Sequence, residues 1–410
     1  MKRAFFSIGF VVLMSVIAAA QEAPVTATVP PAAVTLAATA PAATATTQAA
    51  ATPVVTAPAA APAAAPAASP ATPAPAAPAA SPAPPAPLSK AELFATLPEF
   101  CPTPDAFAMA PWGDLLLSCP NFADTSNPPV ILRITPDNKV RLWAMCPVDP
   151  ETGAAGPMGM EFGPDGNLYV ADNVGWKDGK NGRLLRIRVN EQHRAIGCEV
   201  VAYGLGHPNG VRVHKGFIYV TQSIIETTED GKFLSGVYRF PLDAKNVKVE
   251  NTVTDPHVFL SVQTVNPDRQ YGLDGICFDK NGTLFLGNFG DGTVLKVTLD
   301  ADGKPSEPVV FAKDPSMKTV DGLIAGTDGN LYLCDFAVNS IKAVTPEGKV
   351  LTMAQNGDTN GADGSLDQPG DLIQRGNELI ISNFDCVVGP GNVNTNHEPP
   401  HTLSVVKLPK

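Results

Sequence analysis

Acidic and amide side chains stand at one fixed distance before a series of short apolar segments. Six such segments begin at the anchor residues Leu115, Leu168, Ile218, Leu284, Leu331 and Leu379. Nine or ten residues before these anchors stand Asp105, Met158, Asn209, Asp274, Asp321 and Gly370. Where three carboxylates and one carboxamide meet, the like charges repel unless they are protonated or bridged by a cation. Oxygen donors without histidine favour calcium, and after it magnesium or manganese, over zinc or copper.

A second set of polar side chains follows the same anchors by four positions. Its members are Cys119, Asp172, Gln222, Asn288, Asp335 and Asn383. Two interpretations are open: such side chains brace the chain by bonding backbone amides, or they touch a ligand. On the second interpretation, the candidate substrate-binding residues are His207, Asp172, Gln222, Asn288, Asp335 and Asn383. The alternative for His207 is that it is a surface histidine with no role in binding or catalysis.

The elements that position both sets are hairpins, each with an apolar strand, a glycine-containing turn and a second apolar strand. The six copies read PDAFAMAPWGDLLLSC, PMGMEFGPDGNLYVAD, PNGVRVHKGFIYVTQ, LDGICFDKNGTLFLGN, VDGLIAGTDGNLYLCD and PGDLIQRGNELIISN. Asp-Gly and Asn-Gly turns between apolar runs are typical of hairpins. Successive anchors lie 47 to 66 residues apart, a period typical of β-propellers with about four strands per unit. The predicted fold class is therefore an all-β, six-bladed β-propeller.

Further strands complete each predicted blade. The third strands include 184–189, 293–299, 340–344 and 402–408, and the fourth strands are 140–145, 200–203, 258–262, 309–312 and 350–354. The sixth unit has no fourth strand of its own, whereas segment 91–97 lies unassigned before the first unit. We expect 91–97 to pair into the sixth blade and close the ring, which removes an exposed sheet edge.

These strands bring the two polar sets to one face of the disc. The first strand of each propeller blade runs along the central channel, and the second strand returns antiparallel to it. Asp or Asn before Gly is often turn chemistry alone. Because the residue here differs from blade to blade, we favour a metal site formed by Asp105, Asn209, Asp274 and Asp321.

The first 89 residues differ in composition from the rest of the chain. Residues 1–20 carry Lys2 and Arg3, an apolar run and an A-x-A site, which predicts a signal peptide. We therefore expect export, to the periplasm or by secretion, with an uncleaved signal anchor as the open alternative. Residues 21–89 are rich in Ala and Pro, which predicts a disordered linker without a core. Residues 90–410 then form the propeller domain.

The net charge limits the classes of binding partner, and the cysteine content bears on disulfide pairing. Asp and Glu number 40 against 29 Lys and Arg, so the net charge is −11. This argues against nucleic acid and anionic membranes and suits a cation site or a small-molecule substrate. The seven cysteines lack C-x-x-C spacing, and in an exported protein we expect some of them to be paired. The pairs to test first are Cys101 with Cys119 or Cys386, and Cys146 with Cys198.

The ordered hairpins resemble a known superfamily. Above all HPNGV at Asn209, LDGIC at Asp274 and VDGLIAGTDGNLYLCDF at Asp321 resemble the SMP-30/gluconolactonase/LRE-like propellers, which neighbour the paraoxonases and the strictosidine-synthase-like proteins. The resemblance covers 90–410 and implies an axial divalent cation, usually calcium. It implies an acid in the first blade, which looks like Asp105, Asn residues in the middle blades and an Asp in the fifth. Asp105 is shorter than the family's Glu, and Asp274 stands where Asn is usual, so the site would be more negative.

The resemblance also implies a function, namely a calcium-dependent lactonase or esterase-type hydrolase acting on a small, sugar-lactone-like substrate. The cation would polarise the carbonyl group and stabilise the oxyanion. Asp321, or else Asp274, would take the proton of the attacking water. The alternative is a non-catalytic propeller that binds a sugar, peptide or protein on the same face. A third reading, a strictosidine-synthase-like carbon–nitrogen lyase, would not need the acidic set.

Other enzyme classes find no support in the motifs. The sequence contains no G-x-S-x-G elbow and no phosphate-binding loop. Both absences argue against a serine hydrolase of the α/β type and against a nucleotide enzyme.

Overall fold

The computed structural model describes residues 88–174, 179–269, 271–387 and 391–409. The predicted signal peptide at 1–20 and the predicted linker at 21–89, apart from its last two residues, lie outside these ranges. The described residues form six sheets, and the first strand of each sheet contacts the first strands of both neighbouring sheets. The predicted all-β, six-bladed propeller is therefore confirmed. Within the described ranges, no helix has the length and apolar character needed to cross a membrane.

The blades follow one another along the chain. The first strand, β1 (Glu92–Thr96), belongs to the last blade. Blades 1 and 2 consist of β2 (Phe107–Met109), β3 (Leu115–Cys119), β4 (Val130–Ile134), β5 (Val140–Met145), β6 (Pro157–Phe162), β7 (Leu168–Asp172), β8 (Gly182–Val189) and β9 (Ala195–Leu205). Blade 3 and its connection contain β10 (Pro208–His214), β11 (Phe217–Thr227), β12 (Phe233–Pro241), β13 (Val247–Lys248) and β14 (Val258–Gln263).

The remaining strands complete the disc. Blade 4 consists of β15 (Leu273–Phe278), β16 (Leu284–Asn288), β17 (Thr293–Val297) and β18 (Val309–Lys313). Blade 5 contains β19 (Leu323–Ala325), β20 (Leu331–Asp335), a 3-10 turn (Phe336–Val338), β21 (Ser340–Val344) and β22 (Val350–Gln355). Blade 6 takes β23 (Pro369–Arg375), β24 (Glu378–Asn383) and β25 (Thr402–Lys407).

The strand β1 closes the ring. It pairs antiparallel with β25, with Glu92 opposite Val405 and Thr96 opposite Thr402. The N–H of Leu97 then donates to the carbonyl oxygen of His401 at 2.8 Å. The order of the last sheet is β23–β24–β25–β1, so the predicted closure by 91–97 is confirmed.

Apolar side chains on the middle strands fill the spaces between blades. The cluster that joins the last blade to the first includes Leu97, Phe107 and Leu115 together with Ile380 and Leu403. Every residue of β3, β7 and β20 is buried, whereas the rim strand β5 is partly exposed. The continuous apolar runs are therefore buried on both faces, as expected for sheets packed between two neighbours.

Two features differ from the sequence-based expectations. The short strand β13 pairs in parallel with β9 and extends blade 2 by a fifth strand, which the repeat did not predict because it lies in a connection. The expected disulfides are not formed: all seven cysteines are free thiols. Cys119 lies beside Cys101, and burial is the largest cause that raises the pKa of Cys119.

The first strands approach each other closely at the axis, and glycine permits this approach. A Cβ added to Gly275 would lie 2.2 Å from the carbonyl oxygen of Asp321, and one added to Gly159 would lie 2.5 Å from that of Asn209. The glycines that face the next blade in this way are Gly159, Gly210, Gly275 and Gly322. Hydrogen bonds cross the same seams, including Gly275 N–H to Asp321 O at 3.1 Å and Gly322 N–H to Gly370 O at 2.7 Å.

We expect Gly275→Ala to lower the free energy of unfolding by roughly 1–3 kcal/mol, because the new methyl group overpacks a backbone seam that cannot yield. Gly357→Ala is the matched control, since a Cβ there meets no atom within 4 Å. Urea unfolding of the two variants measures the difference. Equal stability losses would contradict the packing argument.

Candidate metal centre at the propeller axis

The structure brings the four predicted ligands together. Asp105, Asn209, Asp274 and Asp321 line one cavity at the inner ends of the first strands. Its volume is about 20 Å³, enough for one water-sized particle or one ion. Asp105, Asn209 and Asp274 are 5, 7 and 8% exposed. Their role as metal ligands stays a prediction.

In blades 2, 3, 4 and 6, a bulge at the start of the first strand changes the direction of the side chains there. Asp105 and Asp321 instead stand just before β2 and β19, whose pairing has no such shift. In blade 3, Pro208 pairs with Gln222 and Val211 pairs with Val220, so Asn209 falls inside the register shift. Blades 2, 4 and 6 have the same shift at the corresponding place. Bulges re-aim a side chain locally, and here they lift the polar residue out of the regular alternation.

Hydroxyl groups on the second strands hold the bulges. The Oγ1 of Thr221 accepts from Gly210 N–H at 2.7 Å and donates to the carbonyl oxygen of Asp274 at 2.6 Å. Ser382 does the same at the seam between blades 6 and 1, where it accepts from Asp371 N–H at 2.9 Å and donates to the carbonyl oxygen of Asp105. The inner ring is therefore positioned by bonds between blades as well as within them.

The structure adds two residues that sequence reasoning missed. Asp371 and Arg212 also line the axial cavity. Asp371 occupies the second bulge position of blade 6, one residue after Gly370, and its Oδ2 accepts from Phe107 N–H at 2.9 Å. Arg212 lowers the pKa of Asp371, although burial raises that pKa overall. The signal available in the sequence was the PGD triplet of the last hairpin, where the third and fifth blades read PNG and VDG.

The remaining carboxyl groups repel one another. Burial, and then the charge of Asp371, raises the pKa of Asp274 to about 7. Burial, and then the charges of Asp274 and Asp105, raises the pKa of Asp321 well above its usual value. Burial, and then the charges of Asp371 and Asp274, also raises the pKa of Asp105 well above its usual value. The Asp274 and Asp321 carboxyl groups also share a hydrogen bond. The cavity therefore favours bound protons or a cation.

The second polar set has a different environment. All of its members are 1% exposed or less, and their polar groups bond to nearby loops. Asp335 accepts from the backbone N–H groups of Lys318 and Thr319, each at 2.9 Å. Asn383 accepts from Asp367 N–H at 3.1 Å. Corresponding contacts hold Gln222 at Gly206 N–H and Asn288 at Asp291 N–H.

Asp172 is the most strongly held of these residues. It accepts from Gly156 N–H at 2.7 Å and from Arg183 Nε at 2.7 Å, within a buried ion pair. These contacts agree with the bracing alternative, and substrate contact by the set stays a prediction. His207 is half-buried beside Gly179 at the start of β10, and its role also stays a prediction.

Fold and site together define a six-bladed β-propeller with an acidic, oxygen-lined cavity on its axis. Among solved structures, the luciferin-regenerating enzyme is similar with a TM-score of 0.52 and 12% identity, covering 78% of this chain and 97% of that one. A protein assigned as a gluconolactonase has a TM-score of 0.50 and 15% identity, covering 78% and 94%. The expected resemblance to this kind of propeller is thus confirmed in fold.

Sequence comparison reaches less far. No protein-family model matches the chain. The cell growth-regulated gene 1 protein of Candida albicans is 27% identical over 187 residues, which cover 42% of this chain and 51% of that protein. The chain therefore matches about half the length of this curated relative.

The raised carboxyl pKa values predict how pH acts on the metal-free protein. An unfolded Asp titrates near 3.9, whereas Asp274 titrates at about 7 in the folded protein. The folded state binds more protons between these values, so stability should fall as pH rises from about 4 to 7. Melting temperatures measured in chelator across this window test the sign, and a rise would contradict it. Asp274→Asn should flatten the profile, whereas the exposed control Asp302→Asn should leave it unchanged.

The bracing role of Asp172 is tested with Asp172→Asn. Breaking a buried, hydrogen-bonded ion pair costs about 3 kcal/mol or more. The urea concentration at the midpoint of unfolding should therefore fall strongly. Asp137→Asn, at an exposed pair with Lys139, should change little. If Asp172 instead contacts substrate, the variant should alter KM more than stability.

Proposed function

We propose that this protein is an exported, calcium-dependent hydrolase of the lactonase or esterase type, acting on a small, sugar-lactone-like substrate at the propeller axis. The observation that carries the proposal is the gathering of four acidic side chains, Asp371 included, and one amide around a cavity of about 20 Å³. The shared fold of the luciferin-regenerating enzyme and the assigned gluconolactonase is consistent with it. Export rests on the predicted signal peptide alone.

The residues of the cavity fit a hard divalent cation. Asp105, Asp274 and Asp321 offer carboxylate oxygens and Asn209 offers an amide oxygen, which are the donors that calcium prefers. In the second polar set, the carboxyl group of Asp335 accepts hydrogen bonds from two backbone N–H groups. The carboxyl groups of Asp274 and Asp321 instead contact each other. When bound, the cation would supply Lewis-acid polarisation of a carbonyl group and stabilise negative charge on its oxygen.

Asp274 and Asp321 are the proposed catalytic pair. In the metal-free protein both carboxyl groups have raised pKa values. A bound cation would lower these pKa values, because it stabilises the ionised form. A base whose pKa lies near the working pH is the most effective acceptor of a proton from water. We assign the base to Asp321, or else to Asp274, as the sequence predicts.

Aromatic rings directly follow three members of the second polar set and form one row. The ring centroids of Phe289 and Phe336 lie 5.8 Å apart, and those of Phe336 and Phe384 lie 6.0 Å apart. Tyr271 extends the row beyond Phe289. In contrast, blade 2 has Asn173 at the corresponding position, and neither atom of its buried amide finds a hydrogen-bond partner within the described residues. Because Phe336 and Phe384 are 3% and 9% exposed, the row packs against other side chains of this face.

A panel of lactones and esters, assayed with calcium and after chelation, tests the function. We expect hydrolysis that chelator abolishes and added calcium restores. Asp321→Asn and Asp274→Asn should lower kcat by about 100-fold or more, as for the loss of one group that stabilises a transition state. Asp302→Asn, at an exposed site outside the cavity, is the control.

Metal analysis of the unaltered protein and of alanine variants at the same two positions separates the alternatives. If calcium binds and no lactone or ester is hydrolysed, the protein is a binding propeller instead. If Asp321→Ala and Asp274→Ala retain the full calcium content of the unaltered protein, the ligand assignment is wrong.

A further inference from the structure

A second group of metal-binding side chains lies between β24 and β25, outside the axial cavity. Asp385 follows the end of β24, and His397 and His401 precede β25. One carboxyl oxygen of Asp385 and one ring nitrogen of each histidine lie within 4.8 Å of one another. The imidazole rings of His397 and His401 are stacked, with centroids 5.2 Å apart. These residues come from a connection that the repeat pattern does not cover.

Polar atoms in this group are buried without satisfaction. The side chain of Asp385 is 3% exposed and that of His401 is 9% exposed. Within the described residues, neither carboxyl oxygen of Asp385 accepts a hydrogen bond, and Nδ1 of His401 makes none. Nδ1 of His397 donates to the backbone carbonyl oxygen of Asp385. A metal bound at this nitrogen would replace that hydrogen bond, because the ligating nitrogen carries no proton. Leaving such groups buried and unpaired is destabilising, so we expect a further binding partner at this place.

The spacing fits a metal better than a hydrogen bond. The Oδ2 of Asp385 lies 3.1 Å from Nδ1 of His397 and 3.7 Å from Nδ1 of His401. The second distance is too long for a hydrogen bond. Two ligands at about 2.1 Å from a tetrahedral metal are about 3.4 Å apart, and the observed distances lie on either side of this value.

Neighbouring charges favour a cation at this place. Asp367 lies close enough that Asp385 and Glu398, after burial as the largest cause, raise its pKa to about 8. Its Oδ1 is also buried without a hydrogen-bond partner in the described chain. Asp124 also lies near His397. No basic side chain takes part in the ion pairs found for Asp385 among the described residues, apart from the two histidines.

We propose that Asp385, His397 and His401 bind a divalent transition metal of the zinc class, with a fourth position open to water. Two imidazole nitrogens and one carboxylate oxygen are the donors that zinc accepts and that calcium does not prefer. The ion joins the end of β24 to the start of β25 and thereby fastens the blade that closes the ring. This site does not depend on the axial cation or on the proposed hydrolysis.

Cobalt serves as a spectroscopic probe in the untagged full chain, stripped of metal and saturated with calcium. We expect one equivalent of Co²⁺ with the strong visible absorption of a tetrahedral complex, displaced by Zn²⁺. His397→Gln and His401→Gln should each weaken binding by about 100-fold or more, since even residues that only orient a ligand cost 10–100-fold. His257→Gln is the matched control: His257 contacts Asp255 at 3.0 Å, without a second histidine. Asp321→Asn should leave cobalt binding intact.

The outcomes decide the proposal in either direction. Unchanged cobalt affinity in both histidine variants, or no tetrahedral spectrum in the unaltered chain, would overturn it in favour of a simple Asp–His ion pair. Should His401→Gln fail to fold, His397→Gln decides, because the side chain of His397 is 26% exposed. A further measurement needs no variant: zinc should protect His397, which is 26% exposed, but not His257, from diethyl pyrocarbonate. Equal modification with and without zinc would count against the site.

Discussion

The close approach of the first strands around the axis is the constraint on which the rest of the molecule depends. Glycines such as Gly275 leave no room for a Cβ against the next blade, so neighbouring backbones meet directly and bond across the seam. The polar residue just before each glycine then has the channel as its remaining direction. Carboxyl groups from separate blades are brought together by ring closure, and their repulsion is a consequence of the packing that stabilises the disc.

The two polar sets have different roles at this face of the disc. Members of the second set, such as Asp335, are buried and saturated with N–H donors, so they fix the loops that lead into the first strands. Asp274 and Asp321 lack that saturation and face each other across the cavity. A fully bonded carboxylate costs little to bury, whereas a poorly bonded one is costly and often marks a functional site. The same residue types thus serve structure in one set and fit chemistry in the other.

The sequence predicts what repeats and misses what does not. Hairpin spacing locates all six blades, and the unassigned segment 91–97 predicts the closing strand β1. Counting from the anchors finds Asp105, Asn209, Asp274 and Asp321, since each stands nine or ten residues before its anchor. The same count misses Asp371, because Asp371 stands one residue after the counted position, where the other blades have a small residue. The group formed by Asp385, His397 and His401 lies in a connection without periodicity, so only the folded chain brings it together.

Charge balance at the axis links the fold to the proposed chemistry. The cavity is lined by four carboxyl groups, from Asp105, Asp274, Asp321 and Asp371, and by one guanidinium group, from Arg212. If all were ionised, the net charge would be −3, which a low-dielectric channel does not tolerate. The proposed divalent cation would leave a single negative charge, and a proton shared by Asp274 and Asp321 would neutralise it. The pair of Asp274 and Asp321 would then hold one proton. Its ionised member would be the one that accepts a proton from water. Arg212 lowers the pKa of Asp371 and would thereby reduce the number of protons that the four carboxyl groups retain in the proposed reaction.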